Sequence, residues 1–170
     1  MYKPLPPRTG GDTGARSRAR LKEARIDHQL VTTPQRSALM GRVRARDTQP
    51  ELRVRRLLHG LGFRYRLHAA DLPGRPDLVL PRYETVIFVH GCYWHRHRGC
   101  KRTTTPKANR EFWQAKFAAN KNRDRRNVQR LVRAGWNAIV VWECETRDPE
   151  MLADRLQSLL GEICVGSGSS

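Results

Sequence analysis

The sequence predicts an α/β domain built on a mixed central sheet with helices on both faces. Three observations carry this. Apolar runs of strand length alternate with amphipathic runs of helix length in the order α-α-β-β-β-α-β-α. The first three strands follow one another through short connections, as an antiparallel meander does. The fourth arrives after a long basic helix, and a helical crossover delivers a parallel strand.

Each element has its own signal. Residues 1–31 lack apolar periodicity and are rich in Pro, Gly and Arg, so they read as a flexible basic arm. The domain then spans 32–164, and the Gly/Ser-rich 165–170 reads as a disordered tail. Thr33-Pro34 opens a helix to about Arg46, with Leu39, Met40 and Val43 near one face. Asp47 to Pro50 opens a second helix whose apolar face is Leu52, Leu57, Leu58 and Leu61, closed by Gly60 or Gly62. Phe63 to Leu67 alternates apolar and basic residues and reads as a half-buried strand. Leu72 to Pro76 is a turn, 77–80 a short strand, and Pro81-Arg82-Tyr83 a link to the continuous apolar strand 84–90. Residues 91–108 read as a long loop, Asn109 to Arg133 as a basic helix stopped at Gly135, and Trp136 to Trp142 as a core strand. Asp148-Pro149-Glu150 caps a last helix carrying Met151, Leu152, Leu156, Leu159 and Leu160.

Charge points to the partner. The 33 Lys and Arg against 16 Asp and Glu leave +17 on 170 residues. A polyanion is implied, with nucleic acid first because spaced arginines neutralise phosphates and release counterions. The excess is local: 96–133 carries +11, whereas 143–162 carries −4. No apolar run approaches the roughly 20 residues that span a bilayer, and no secretory signal is visible, so a cytoplasmic chain without a membrane partner is expected.

Two Cys and three His fall within His90 to Cys100. Cys92 and Cys100, with a His between them, suit a tetrahedral zinc site, and four protein ligands would make it structural. Spacing leaves His95 and His97 as rivals for the third ligand. Cys144, just after the last strand, is the expected fourth, with Cys164 its rival. Separately, Asp77 starts one strand and His90 ends the next, so antiparallel pairing lets them converge. A carboxylate there could hold Mg²⁺ against a scissile phosphate, and an imidazole could orient the phosphate or move a proton.

The run Leu72-Pro73-Gly74-Arg75-Pro76-Asp77, the segment from Val86 to His95, and Val141-Trp142-Glu143-Cys144 together resemble the very-short-patch-repair (Vsr) DNA mismatch endonucleases. The resemblance extends from about Pro34 to Ile163 and includes Glu111-Phe112-Trp113 and Arg123-Asp124-Arg125-Arg126. It implies a restriction-endonuclease-like core stabilised by zinc, and Mg²⁺-dependent nicking on the 5′ side of the T in T·G mismatches left by 5-methylcytosine deamination. It further implies that Asp77 binds Mg²⁺, that His95 helps activate the attacking water, that His90 contacts the scissile phosphate and that Glu51 supports the metal's hydration. By the same resemblance Cys92, His97, Cys100 and Cys144 are the zinc ligands. Val89 stands where the family often has Thr, and would serve Mg²⁺ through its backbone carbonyl. Gly99 lengthens the His97–Cys100 interval by one residue, which a glycine absorbs. The acid and lysine that the wider nuclease superfamily places on this strand are replaced by Val89 and His90.

The family wedges an aromatic ring between base pairs, with a Met entering from the other side. Tyr93, Trp94, Trp113 and Met40 are the candidates here, Met40 being equally a core residue. Arg123, Arg125 and Arg126 could track phosphates. Trp136 and Trp142 are assigned to the core. The expected partner is duplex DNA with a T·G mismatch, bound by a monomer, with mismatch-repair proteins left open as further partners. Two other readings remain at this stage: a non-catalytic zinc-containing mismatch-binding module, and a restriction-type endonuclease acting on intact sites.

Overall fold

A computed structural model describes residues 46–166, with side chains to residue 161. The arm at 1–31, the helix expected over 34–46 with Met40, and the Cys164 thiol lie outside the described residues.

The four strands stand in chain order. β1 (Arg66–Leu67) and β2 (Leu78–Leu80) pair antiparallel, β2 and β3 (Thr85–His90) pair antiparallel, and β3 and β4 (Asn137–Trp142) pair parallel. This is the predicted meander plus crossover. The β3–β4 register runs from Thr85 opposite Asn137 to His90 opposite Trp142, so both strands end together.

Strand alternation sorts the core into two layers. Leu78, Leu80, Ile87, Ile139 and Val141 face α1 (Gln49–Gly60) and α4 (Pro149–Gly166), which contribute Val54, Leu58, Leu152, Leu156 and Leu160. Val79, Val86, Phe88, Ala138 and Val140 face the opposite way, with Leu131 and Val128 of α3 (Arg110–Arg133) packed beside them. The acidic α4 and the basic α3 therefore lie on opposite faces, as their charges suggested. Among the described residues no helix is long and apolar enough to cross a membrane.

α1 begins where expected. Thr48 is its N-cap and accepts from the Glu51 N–H at 3.4 Å, a contact worth about 1 kcal/mol. α4 runs to Gly166, two residues into the segment read as tail. Three further expectations need correction. The strand over 63–67 shrinks to two residues, because rings anchor its first half elsewhere. Phe63 meets Tyr83 edge-on at 5.2 Å, and the Tyr65 hydroxyl donates to the Arg55 carbonyl at 3.0 Å. Residues 91–108 are not all loop: Cys92–His95 form one helical turn, α2. Trp142 is not a core residue, since it is half-buried with its ring stacked on His97.

The turn before β2 comes close to α3. Gly74 has φ +78°, and a Cβ there would lie 2.8–2.9 Å from Asn127 side-chain atoms. Both the left-handed backbone and the contact exclude larger residues. Gly74→Ala is expected to cost about 1–3 kcal/mol in urea unfolding, and to disturb Asp77 three residues on.

Candidate active site and metal centre

Asp77 sits one step before the Leu78–Ile87 pair, which puts it beside the end of β3. Its Oδ2 accepts from the Val89 N–H at 2.7 Å. Burial pushes its carboxyl up to about 6; the Val89 hydrogen bond opposes this and the nearby Glu51 carboxylate adds to it. His90 ends β3 on the same face as Val86 and Phe88, toward α3. Burial, reinforced by His95, lowers its imidazole to about 4, so it is neutral at physiological pH.

α2 brings His95 back over His90. Their rings stack at 3.9 Å between centroids, 12° from parallel. His95 Nδ1 lies 2.6 Å from Asp124 Oδ2 on α3. Burial works against the Asp124 charge, but the His95 hydrogen bond and the fields of His95, His90 and Arg123 outweigh it, so its carboxyl titrates below the ordinary range. Asp77, Val89, His90, His95, Arg123 and Asp124 all line one cleft of about 250 Å³. The sequence assigns Asp124 no role of its own beyond its place in the Arg123–Arg126 run. Its signal was being the lone acid in an arginine run on α3, which a register onto His95 explains.

Glu51 lies off this cleft. It is 2 % exposed, ion-paired with Arg55, and 3.4 Å from His68 Nε2. Arg55 also holds Asp47 at 2.8 Å. Glu51 reaches Asp77 only through its charge, which adds to the rise of the Asp77 carboxyl.

The second cluster is distinct. Ligand atoms of Cys92, His97, Cys100 and Cys144 lie within 4.8 Å of one another. His97 Nδ1 is 3.7 Å from Cys92 Sγ and 3.2 Å from Cys144 Sγ. Ligands on a tetrahedral zinc at about 2.0–2.3 Å stand roughly 3.5–4 Å apart, so three thiols and one imidazole fit that ion. Burial pushes the Cys92 thiol up to about 12, a cost that a cation would reverse. The rivalry between histidines resolves spatially: His97 joins the sulfurs and His95 turns to Asp124. Trp142 stacks on His97 at 4.3 Å and 7°, fixing the ring plane.

Glu143 joins the two clusters and went unassigned in the sequence. Its N–H donates to the His90 carbonyl at 2.9 Å, and its carboxylate accepts from the Cys92 N–H at 3.3 Å and from Arg102.

Tyr93 and Trp94 ride on α2, half-buried, with rings 5.1 Å apart and edge-to-face. Trp113 corrects its expected placement: it is 9 % exposed, packed against Trp94, Phe112 and Phe117. Lys116 stands over the Trp94, Phe112 and Trp113 rings at 5.5–5.7 Å. Arg123 borders the cleft, 3.5 Å from Asp124, while Arg125 and Arg126 are exposed along α3.

Comparison with known proteins gives this geometry a lineage. The sequence model described as "DNA mismatch endonuclease Vsr" matches residues 28–102. The type II nicking enzyme V.XorIIP of Xanthomonas oryzae pv. oryzae is 47% identical over 130 residues, covering 76% of this chain and 95% of the relative. The DNA mismatch endonuclease Vsr of Escherichia coli is 44% identical over 136 residues, covering 79% and 86%. The chain belongs to the Vsr endonuclease family. It is a DNA endonuclease, and its substrate is DNA. Among solved structures, the catalytic domain of the homing endonuclease I-Bth0305I aligns with TM-score 0.48 and 21% identity, over 72% of this chain and 99% of that one. In this Vsr-family chain the cleft and the four-ligand cluster both stand at the C-terminal ends of β3 and β4.

Proposed function

We propose that this enzyme nicks DNA on the 5′ side of the T in T·G mismatches, the product of 5-methylcytosine deamination, in a Mg²⁺-dependent reaction that starts very short patch repair. The observation that carries the reading is the convergence of Asp77, His90, His95 and Asp124 in one cleft. The relatives named as mismatch endonuclease and nicking enzymes support the substrate and the single-strand outcome.

The donors suit a hard cation. Asp77, backed by Glu51 and joined by the Val89 main-chain carbonyl, offers the oxygen ligands that Mg²⁺ prefers. A buried carboxyl raised to about 6 is one whose ionisation a divalent cation stabilises. When bound, Mg²⁺ supplies Lewis-acid polarisation of the scissile phosphate. The Cys₃His cluster is read as a structural zinc site, closed to substrate by its four protein ligands.

The side chains divide the remaining work. Asp124 holds the His95 Nδ1–H, which leaves Nε2 as the proton acceptor for an attacking water. The Asp124 carboxylate then stabilises the imidazolium that forms. His90, kept neutral by burial, donates a hydrogen bond to a phosphate oxygen without adding charge beside His95. Trp94 and Tyr93 serve as the wedge, where unstacking costs least beside a mismatch, and the buried Trp113 is their floor. Arg123, Arg125 and Arg126 hold phosphates along α3.

Asp124→Asn tests the proton path. An amide N–H facing Nδ1 imposes the wrong tautomer, so the single-turnover nicking rate should fall about 10²–10⁴-fold with DNA affinity unchanged. Substrate choice is tested by nicking of T·G duplexes with randomised flanks against matched duplexes of the same sequence, with Mg²⁺. We expect cleavage of one strand of the mismatched duplex. Equal cleavage of matched DNA would favour a restriction-type enzyme. Tight mismatch binding with no nicking in any context would favour a non-catalytic module.

A further inference from the structure

A second cleft, of about 540 Å³, lies on the other side of the β3–β4 end from the catalytic cleft. It opens between Pro50 at the start of α1 and Pro149 at the start of α4, and among the described residues Arg53, Arg102 and Arg147 border it with Glu143 as the one carboxylate. We propose that this cleft binds a backbone phosphate of the DNA substrate at a distance from the scissile one. The inference rests on DNA being the substrate, not on T·G preference.

Charge pairing leaves the site one-sided. Glu143 is committed to Arg102 and to the Cys92 N–H. Among the described residues, the side chains of Arg53 and Arg147 have no hydrogen-bond or ion-pair partner, and both are exposed. Neighbouring acids are engaged elsewhere: Glu145 with Arg155 at 3.0 Å, Asp148 with the Met151 N–H at 3.0 Å, and Asp47 with Arg55 at 2.8 Å. Two free guanidiniums flanking a third that is already anchored form a concave site for a fork-matching oxyanion.

Position identifies the oxyanion. Glu143 forms one wall of this cleft, and its N–H is bonded at 2.9 Å to the carbonyl of His90, which lines the catalytic cleft. The two clefts are therefore separated by the last residue pair of the sheet. A duplex carries one charge per about 1.7 Å of axis, so DNA seated at His90 presents further phosphates within a side chain's reach. The +11 segment sits mainly on α3 and the metal loop. This cleft extends the basic track to the opposite face of the sheet.

The test uses the full chain carrying Arg53→Gln and Arg147→Gln together, since neither residue belongs to the catalytic cleft or the Cys₃His cluster. Binding to T·G and matched duplexes is followed by fluorescence anisotropy across salt concentrations, without added Mg²⁺. Each lost phosphate contact should lower the slope of log K against log salt by about 0.9, so a drop of about 1 in both duplexes is expected. Zinc content and the single-turnover nicking rate at saturating DNA should stay within twofold of wild type. Neutral methylphosphonates placed one at a time should then reveal one position that weakens wild type but is silent in the double variant. An unchanged slope, or equal methylphosphonate losses in both proteins, overturns the proposal and leaves the cleft for some other acidic partner. Loss of T·G preference alone would not disturb these readouts, because matched duplex suffices for them.

Discussion

Asp77→Ala should reduce nicking by about 10³-fold or more while leaving DNA binding within a few-fold of wild type. The carboxyl lines the cleft and is the proposed hard ligand there, and Lewis-acid stabilisation of a phosphoryl group is worth several kcal/mol, each 1.36 kcal/mol being tenfold in rate. Binding should be spared because the proposed DNA contacts are arginines and aromatic rings elsewhere. The wild-type enzyme should also show a pH-dependent metal requirement. Since Asp77 is raised to about 6, its protonated fraction grows as pH falls through that value, and only the ionised form binds metal. Half-saturating Mg²⁺ should therefore climb between pH 7 and pH 5 and be flat above pH 7. Undiminished nicking by Asp77→Ala would remove the proposed metal site.

Cys144→Ser should abolish the zinc binding proposed for the Cys₃His cluster and cost the protein a large part of its stability. The segment from Gly91 to Thr105 contains only one helical turn, and a four-residue helix has no stability of its own. Its ties to the rest of the domain are a handful of side-chain contacts: His95 to Asp124 at 2.6 Å, the Cys92 N–H and Arg102 to Glu143, Asn120 to the Trp94 carbonyl at 3.2 Å, and the Tyr93 and Trp94 rings against Phe117 and Trp113. A metal held by the Cys₃His cluster would add folding energy to the segment that carries Tyr93, Trp94 and His95. Metal loss belongs among the largest single-residue effects, of order 4 kcal/mol or more. Tm should drop by about 10 °C for a chain of this size. Elemental analysis should find one zinc per wild-type chain and none in the variant. Zinc kept by Cys144→Ser but lost by Cys164→Ser would show that the fourth ligand was misassigned.

Long elements and local pairings were legible in the chain; short elements and long-range pairings were not. The continuous apolar run over 84–90, the long basic helix at 110–133 stopped at Gly135, and the chain order of the strands follow from periodicity and punctuation, and the structure has them. The density of Cys and His announced a cluster, but spacing could not separate His95 from His97, because both are within reach of the sulfurs until α2 folds. α2 itself left no trace, since four residues do not define a 3.6-residue period. Trp113 and Trp142 show a further limit. Composition says that a tryptophan is large and apolar, not whether its ring fills a core, floors another ring or backs a ligand. Asp124 and Glu143 act through partners 29 and 51 residues away, and no local pattern encodes such distances.

The turn Cys92–His95 has a mechanical consequence. Four successive residues carry a candidate zinc ligand, two candidate wedge rings and the imidazole held by Asp124. At 1.5 Å per residue the turn is a lever about 6 Å long, anchored at one end by the sulfur cluster. A tilt of about 10° moves the far end of such a lever by about 1 Å, and an error of that size in a reacting group can cost about 10²-fold in rate. A ring that fails to seat thus carries the imidazole out of alignment in the same motion. Under the proposed function, substrate discrimination and turnover would be one stiffness, read at two ends of a single helical turn.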